Sequence, residues 1–474
     1  MRRMVIAIMI GVIFLGAGES ANAIPAFARK YKTTCMTCHT SPTMLNEFGL
    51  RFQANGYQLP GAVDPTPIWD QDIVPVSFML HAMWMWMKDT QSSDETSMSM
   101  TNYNFVDPHG DLFSGGTLGP KVSYFSEFEV EPEGIKLETA FVIFNNIFEL
   151  SRANFRIGKF FLDVPFPSRL SISEDVKPLV YTYNPFEVGV AAEEEEEEEE
   201  AGHEHAMING LSAFGPPTFH PLHGDEEGAA EEALGTLPSP VRFSSPQLGI
   251  SLFGFIPDIL DGTRYEVALV NWHKNKRPDW FFRLNQTFYV HDAPFRVGVI
   301  YLNGRHQVDE IGFRSDFWRF GIDAELYDPW TKKVNIQFQY LKGSDDDVEL
   351  EEGLQERDMN GGFIGANIFL LPEKLIAFGR YEWLNAEPQE TRRWTSVLRY
   401  HLTPNVFIDL IYANTWSNFD FEAHHHDEEA EQGFHEGALA LRPRDAMDMM
   451  MMSPLDEVTH QRNQMFMVMF MFIF

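Results

Sequence analysis

The sequence is poor in cysteine, since its 474 residues include only Cys35 and Cys38. So few thiols exclude a fold held together by a set of disulfides. Positive charge is also scarce: 36 Lys and Arg residues face 69 Asp and Glu residues, and the formal net charge of −33 leads us to expect no nucleic acid partner. No segment after the amino terminus offers about twenty uninterrupted apolar residues, so no transmembrane helix is predicted.

The amino terminus has the pattern of a secretory signal peptide. Arg2 and Arg3 are a short positive region, and Met4 to Gly16 is an apolar stretch too short to span a bilayer comfortably. Ala21-Asn22-Ala23 is an A-x-A cleavage site, so residues 1-23 are predicted to be removed on export.

The two cysteines belong to a C-x-x-C-H pentapeptide that ends at His39. This spacing is typical of covalent haem attachment, in which two thiols bond the vinyl groups of one porphyrin and the adjoining imidazole binds the iron. A redox dithiol or half of a zinc site would use the same cysteines, but the first expects a βαβ unit and the second a further ligand pair. The sequence therefore predicts one haem c, bound by Cys35, Cys38 and His39.

Aromatic residues are abundant, at 14% of the chain with 41 Phe, and apolar residues recur at every second position in segments of roughly ten residues. Val334, Ile336 and Phe338, for example, alternate with polar residues, and the chain ends on an alternating strand that closes with Phe474. These patterns predict an all-β fold, an outer-membrane β-barrel of about sixteen strands over residues 66-474 with lipid around it. A soluble β-sandwich is the alternative. The predicted strands are 74-87, 98-105, 121-131, 136-148, 153-162, 246-255, 262-273, 279-290, 294-304, 313-327, 332-343, 359-371, 374-385, 391-403, 405-417 and 462-474.

The connections between these strands differ in length on the two sides. With both termini in the periplasm, the long acidic connections, including 163-245 and 418-461, fall on the extracellular side, and the tight turns fall on the periplasmic side. One connection, 106-120, does not fit, because it is long but assigned to the periplasmic side.

The segment 24-65 is too short to bury a porphyrin in a core of its own. One helix is predicted in it, with Ser41 as N-cap and Pro42 at the first position, and with Leu45, Phe48 and Phe52 on the face that covers the haem. The barrel would have to cover the rest, so we expect this segment to plug or dock into the periplasmic mouth.

The two longest loops are rich in glutamate and histidine. Glu193 to Glu200 precede His203, His205, His220 and His223, and the last loop carries His424, His425, His426 and His435. Imidazole with carboxylate suits divalent first-row metals, so a weak cation site is one interpretation, with His203, His205, His424, His425 and His426 as its candidates. A solvated acidic loop without a site is the other.

Methionine is concentrated on the first and last predicted strands. Met79, Met83, Met85 and Met87 and the row Met465, Met467, Met469 and Met471 should face the lumen and meet where the barrel closes. They either fill irregular space beside the haem segment or supply the distal haem ligand. The distal candidates are Met36, Met44, Met79 and Met83, and the sequence does not choose among them.

The sequence resembles the fused monohaem cytochrome-porins of the outer membrane, of the type found in iron-oxidising bacteria. The resemblance lies in Pro25-Ala26-Phe27-Ala28-Arg29, the C-x-x-C-H motif, Leu45-Asn46-Glu47-Phe48-Gly49, Gly56-Tyr57 and Arg156-Ile157-Gly158-Lys159-Phe160. It implies electron transfer from an extracellular donor such as Fe(II) to a periplasmic cytochrome or other acceptor, and so an oxidoreductase-like role. Two alternatives stay open: a porin for metal uptake with a haem plug, and electron export to an extracellular acceptor.

Overall fold

The computed structural model describes residues 26–41, 43–59, 66–70, 74–92, 97–132, 134–147, 153–167, 171–173, 176–185, 243–256, 262–271, 277–308, 313–331, 333–346, 356–371, 374–386, 389–419 and 460–473. The predicted signal peptide, the histidine and glutamate runs of both long loops, and Phe474 lie outside these residues. No helix in the described part is long and apolar enough to cross a membrane.

Sixteen antiparallel strands form a closed barrel, which confirms the predicted strand number. Each strand pairs with the next in sequence, and the last pairs with the first. Two short strands precede them, so the barrel begins at β3. The barrel strands are β3 Val76–Ser92, β4 Ser97–Gly119, β5 Val122–Glu131, β6 Gly134–Phe144, β7 Asn154–Phe160, β8 Gln247–Ile256, β9 Thr263–Val270, β10 Asp279–Val290, β11 Ala293–Val308, β12 Phe313–Tyr327, β13 Val334–Asp345, β14 Arg357–Leu371, β15 Leu375–Ala386, β16 Gln389–Thr403, β17 Val406–Phe419 and β18 His460–Ile473.

The outer face of the barrel is apolar, and its inner face carries many buried polar and charged side chains. On β10, Trp280, Phe282 and Leu284 are exposed, whereas the alternate residues Arg283 and Asn285 are buried. Two arginines, at 393 and 399, are among the largest fully buried side chains. Because strand residues alternate between two faces, this distribution presents an apolar surface to lipid and a polar one to the lumen.

One end of the barrel has only short connections between consecutive strands, the longest being the nine residues between β6 and β7. The connection predicted at 106-120 is wrong: residues 106–119 continue β4, and the turn to β5 is at Pro120 and Lys121. The connection between β4 and β5 is therefore short, as the predicted topology expects on the periplasmic side. Short turns mark the periplasmic end of outer-membrane barrels, and we call this end the tight-turn end.

The amino-terminal elements lie inside the tight-turn end. They are α1 Ala26–Tyr31, a 3₁₀ turn Cys35–Thr37, β1 His39–Ser41, β2 Met44–Leu45 and α2 Glu47–Ala54, followed by a 3₁₀ turn Ile68–Asp70. The predicted helix start at Ser41 is wrong, because Ser41 pairs with Met44 in a small β-sheet. Asn46 is the N-cap instead: its side-chain oxygen accepts a hydrogen bond from Gly49 N at 3.0 Å. We call residues 26–41 and 43–59 the plug.

Part of the long connection after β7 also lies in the lumen. It includes α3, Leu179–Thr182, whose first backbone N–H donates to Glu382 Oε1 at 3.0 Å. Arg380 donates to Ser173 Oγ at 2.9 Å. We call residues 162–167, 171–173 and 176–185 the inner loop; with the wall they form two apolar clusters inside the barrel, of which Tyr181 and Ile172 are members.

Candidate functional site

The C-x-x-C-H motif forms a compact turn in the plug. Cys35–Thr37 is a single 3₁₀ turn, and Cys38 N donates to Cys35 O at 3.1 Å. Both thiols are free and half-buried, and His39 follows directly as the first residue of β1. The motif therefore presents two thiols and an imidazole within five residues, the arrangement that covalent haem attachment needs.

The amino-terminal end of helix α2 holds this turn in place. Asn46 donates its side-chain amide to the carbonyls of Met36 and Thr37, at 3.2 and 3.1 Å, and its backbone N–H to Cys38 O at 2.9 Å. A Cβ at Gly49 would lie 2.1 Å from that same Cys38 oxygen, so only glycine allows the helix to approach so closely. The segment Leu45 to Gly49 thus positions the C-x-x-C-H motif.

The donor set suits a c-type haem. Burial lowers the pKa of His39 to about 4, although a backbone contact with Ser41 partly opposes the shift, so the imidazole is neutral at pH 7 and available to a metal. Among the described residues its Nδ1 is buried without a hydrogen-bond partner, an unfavourable state for a ring nitrogen. Burial, reinforced by repulsion from Cys35, raises the pKa of Cys38 to about 11, so this thiol is protonated until it reacts.

The barrel wall anchors the plug at the tight-turn end. Cys35 Sγ is 3.6 Å from Asn405 Oδ1, in the turn between β16 and β17. The backbone of α1 begins with Ala26 N donating to Ser77 Oγ at 2.7 Å, and Ser123 Oγ donates to Gly56 O, also at 2.7 Å. Contacts from strands on several sides of the barrel therefore fix the plug and place the thiols near the periplasmic mouth.

Aromatic packing joins the plug to the wall. Phe27 stacks on Tyr57 with ring centroids 5.4 Å apart, and Phe52 meets Phe27 edge-on at 5.2 Å. Tyr57 in turn stacks on Phe125 and Phe141 of the wall, at 5.5 and 6.4 Å. Such pairs add to the burial of apolar area, so this cluster contributes to plug binding.

Arg399 links the plug, the inner loop and the wall. It pairs with Asp409 of the wall at 2.6 Å, and both side chains are fully buried. It also donates to Ser41 Oγ at 3.0 Å and Thr43 Oγ1 at 2.7 Å in the plug, and to Ile172 O at 3.3 Å in the inner loop. This single guanidinium fixes Ser41 and Thr43, which follow His39 closely in the plug.

The methionine rows meet as predicted. Met87, Met85 and Met83 pair with Met465, Met467 and Met469 across the closing strand pair, and the members of both rows are buried or half-buried. Among the distal-ligand candidates, Met44 and Met83 are buried and Met36 and Met79 are half-buried. Which residue would bind iron stays a prediction.

The structure brings one more imidazole to this region. His401 is buried on the inner face of β16, two residues from Arg399 and four from Asn405, both of which contact the plug near His39. Sequence reasoning missed it, although its inward position follows from the alternation of β16. We add His401 to the candidates for the distal ligand.

Comparison with known proteins gives a fold and no family. No protein-family model matches the sequence, and no curated protein matches it either. Among solved structures, an anion-selective porin from Comamonas acidovorans aligns at 8% identity with a TM-score of 0.50, over 84% of this chain and 99% of the porin. The outer-membrane protein OmpT of Vibrio cholerae aligns at 10% identity with a TM-score of 0.41, over 85% of this chain and 99% of that one. The fold is that of a porin-type barrel.

The barrel's own surface gives its location. A closed sixteen-stranded barrel with exposed aromatic and aliphatic side chains outside and buried polar ones inside belongs in the bacterial outer membrane. The predicted cation-site histidines, His203, His205, His424, His425 and His426, lie outside the described residues, so their role in this porin-type barrel stays a prediction.

Proposed function

We propose that the protein transfers electrons at the outer membrane through one haem c, bound by Cys35, Cys38 and His39 inside the porin-type barrel. The observation that carries the proposal is the placement of the C-x-x-C-H turn, which is locked by Asn46 and anchored to the wall beside Asn405. A barrel built only for diffusion has no need of two free thiols and a neutral imidazole in such a turn.

A haem c bound there would supply a one-electron iron couple shielded from bulk water. His39 would be the proximal ligand, and its neutral state at pH 7 suits that role. Arg399 would keep the chain after His39 in one position, because it bonds both Ser41 and Thr43. A further ligand to the iron would come from Met36, Met44, Met79, Met83 or His401.

The position of the thiols suggests how partners reach the site. Since Cys35 contacts a tight turn, a periplasmic carrier would approach the haem closely, whereas an external donor would be separated from it by most of the roughly 30 Å hydrocarbon layer. A donor small enough to enter the lumen fits this geometry, and Fe(II) is such a donor. Each cycle would convert one Fe(II) to Fe(III) and reduce one periplasmic carrier by one electron.

A channel is the second candidate function, and the porin-type fold favours it. The anion selectivity in the name of the similar porin belongs to that protein. In this chain the plug and the inner loop contact inward-facing residues of the wall, which favours a lumen closed to passage at the plug over one that is open from end to end. Electron export would use the same site with reversed flow.

The proposal is tested on protein purified in detergent. A haem stain that persists in a denaturing gel and weakens in Cys38→Ala would support covalent attachment, and rapid-mixing reduction of the haem by Fe(II) would support the donor. Unchanged staining in Cys38→Ala would overturn the haem assignment; a haem that stays oxidised in excess Fe(II) would overturn the donor alone.

A further inference from the structure

The wall at β16 and its turn contacts the haem motif at both of its ends. Asn405, in the turn between β16 and β17, lies 3.6 Å from the Sγ of Cys35, the first thiol of the motif. Arg399 of β16 donates to Ser41 Oγ at 3.0 Å, and Ser41 is two residues after His39, the last residue of the motif. The C-x-x-C-H motif therefore lies beside the last part of β16, between these two contacts.

His401 lies between the two contacting residues on β16. It is 6% exposed and shares the buried face of the strand with Arg399, because alternate residues of a strand point to the same side. Two strand residues span about 7 Å, so His401 is displaced by that distance from Arg399 towards the turn that contacts Cys35. The imidazole therefore faces the part of the plug that carries the motif.

The imidazole of His401 has no competing partner among the described residues. Phe407, its register partner on β17, contacts it with ring centroids 5.4 Å apart. No hydrogen bond or ion pair within the described part of the chain involves its ring nitrogens. Imidazole is the commonest metal ligand among side chains, and here binding a metal would break no existing bond.

We propose that His401 supplies the distal ligand to the haem iron, an inference that rests on the proposed function. The plug would hold the haem through Cys35, Cys38 and His39, and the wall would hold its iron through His401. A bound haem would then join the plug to the wall, in addition to the hydrogen bonds of Arg399.

The rival imidazole is His81 on β3, the other buried histidine among the described wall residues. Its Nε2 lies 3.2 Å from Asp111 Oδ2, and it also interacts electrostatically with Asp409, so carboxylates already compete for this ring. β3 binds the start of α1, where Ser77 accepts a hydrogen bond from Ala26 N at 2.7 Å. β16 and its turn, in contrast, contact the motif itself.

The methionine candidates fit this position less well. Met36 lies in the turn between the two thiols, and Met44 belongs to the two-stranded sheet that begins with His39. Met79 and Met83 lie on β3, whose plug contact is at α1. A distal ligand approaches the iron from the face that His39 leaves open, which favours a residue of the wall beside the motif.

Near-infrared magnetic circular dichroism of the ferric haem tests the ligand in full-length protein purified in detergent. Two imidazoles give a different charge-transfer band from an imidazole with a thioether. Wild type should give the band of two imidazoles, and His401→Met the band of imidazole with thioether. His401→Ala should lose both bands and regain the wild-type band when imidazole is added. His81→Ala is the matched control, because it removes the other buried imidazole of the described wall, and it should keep the wild-type band.

Covalent attachment is scored separately by the haem stain in a denaturing gel, and folding by heat-modified mobility. A wild-type band of imidazole with thioether, a His401→Ala spectrum identical to that of wild type, or loss of the band in His81→Ala alone would overturn the assignment and leave the haem in place. If His401→Ala does not fold, the spectra of wild type and His401→Met decide. Wild type without haem stain would overturn the proposed function, and this inference with it.

Discussion

Removing Arg399 should loosen the plug while the barrel stays closed. In Arg399→Met the plug loses two hydrogen bonds from a charged donor, to Ser41 and Thr43, each worth about 1.5–3 kcal/mol. The change also leaves Asp409 buried and unpaired, which costs about 3–5 kcal/mol. The double variant Arg399→Met/Asp409→Leu removes that second cost and leaves the loss of the bonds to the plug and of the longer bond to Ile172 O.

The assay is amide hydrogen exchange by mass spectrometry on detergent-solubilised protein. Water replaces part of the hydrogen bonding that Arg399 supplied. The free energy of local opening at residues 39–45 should therefore fall by about 3 kcal/mol in the double variant. At 1.4 kcal/mol per factor of ten, exchange there should be roughly 100-fold faster.

Arg283→Met/Asp323→Leu is the matched control, because among the described residues the hydrogen bonds of that buried pair lie within the wall and none reaches the plug. It should leave exchange of residues 39–45 unchanged. If the Arg399 double variant exchanged at the wild-type rate, or the control accelerated exchange equally, Arg399 would not be the residue that fixes the plug.

Three further predictions follow from the site and the loops. Gly49→Ala should reduce haem incorporation, because its Cβ would meet Cys38 O at 2.1 Å, whereas Gly379→Ala, with its nearest neighbour at 3.4 Å, should not; haem stain per barrel measures this. Burial raises the pKa of Cys38 to about 11. In haem-free protein at pH 8, Cys38 should therefore react with maleimide about 100-fold more slowly than an ordinary thiol, and its rate should rise towards pH 11. Unfolding in urea should abolish the difference. Deleting 193-205 and replacing His424, His425 and His426 with Ser should slow haem reduction at low Fe(II) and low salt, and equal rates across a salt series would show the loops to be inert.

The strands were predictable because alternation is a local signal. Val334 to Tyr340 alternate regularly, and the strand is found where they predict it. Residues 106–119 were missed because Asp107-Pro108 and four glycines hide the alternation; pairing with β3 and β5 keeps them in the sheet. Tertiary pairing there overrides the low strand propensity of Gly and Pro.

Only the part of the site whose residues are close together in the sequence was predictable. Cys35, Cys38 and His39 are within five residues, so their motif is visible in one window of sequence. Arg399 and Asn405 contact the plug from 356 to 370 residues away, and no short pattern marks them. The helix start was misjudged because Ser41-Pro42 satisfies the capping rule, yet Asn46 caps with its side chain and Ser41 is used by β1.

The central claim is electron transfer through a haem held in the barrel, and vectorial reduction tests it most directly. Purified protein is inserted in liposomes that contain trapped oxidised cytochrome c, and Fe(II) is added outside. The account predicts reduction of the trapped cytochrome by wild type and only background reduction by the haem-free Cys35→Ala/Cys38→Ala barrel. Equal reduction by both would contradict it, because Fe(II) would then be passing through a channel.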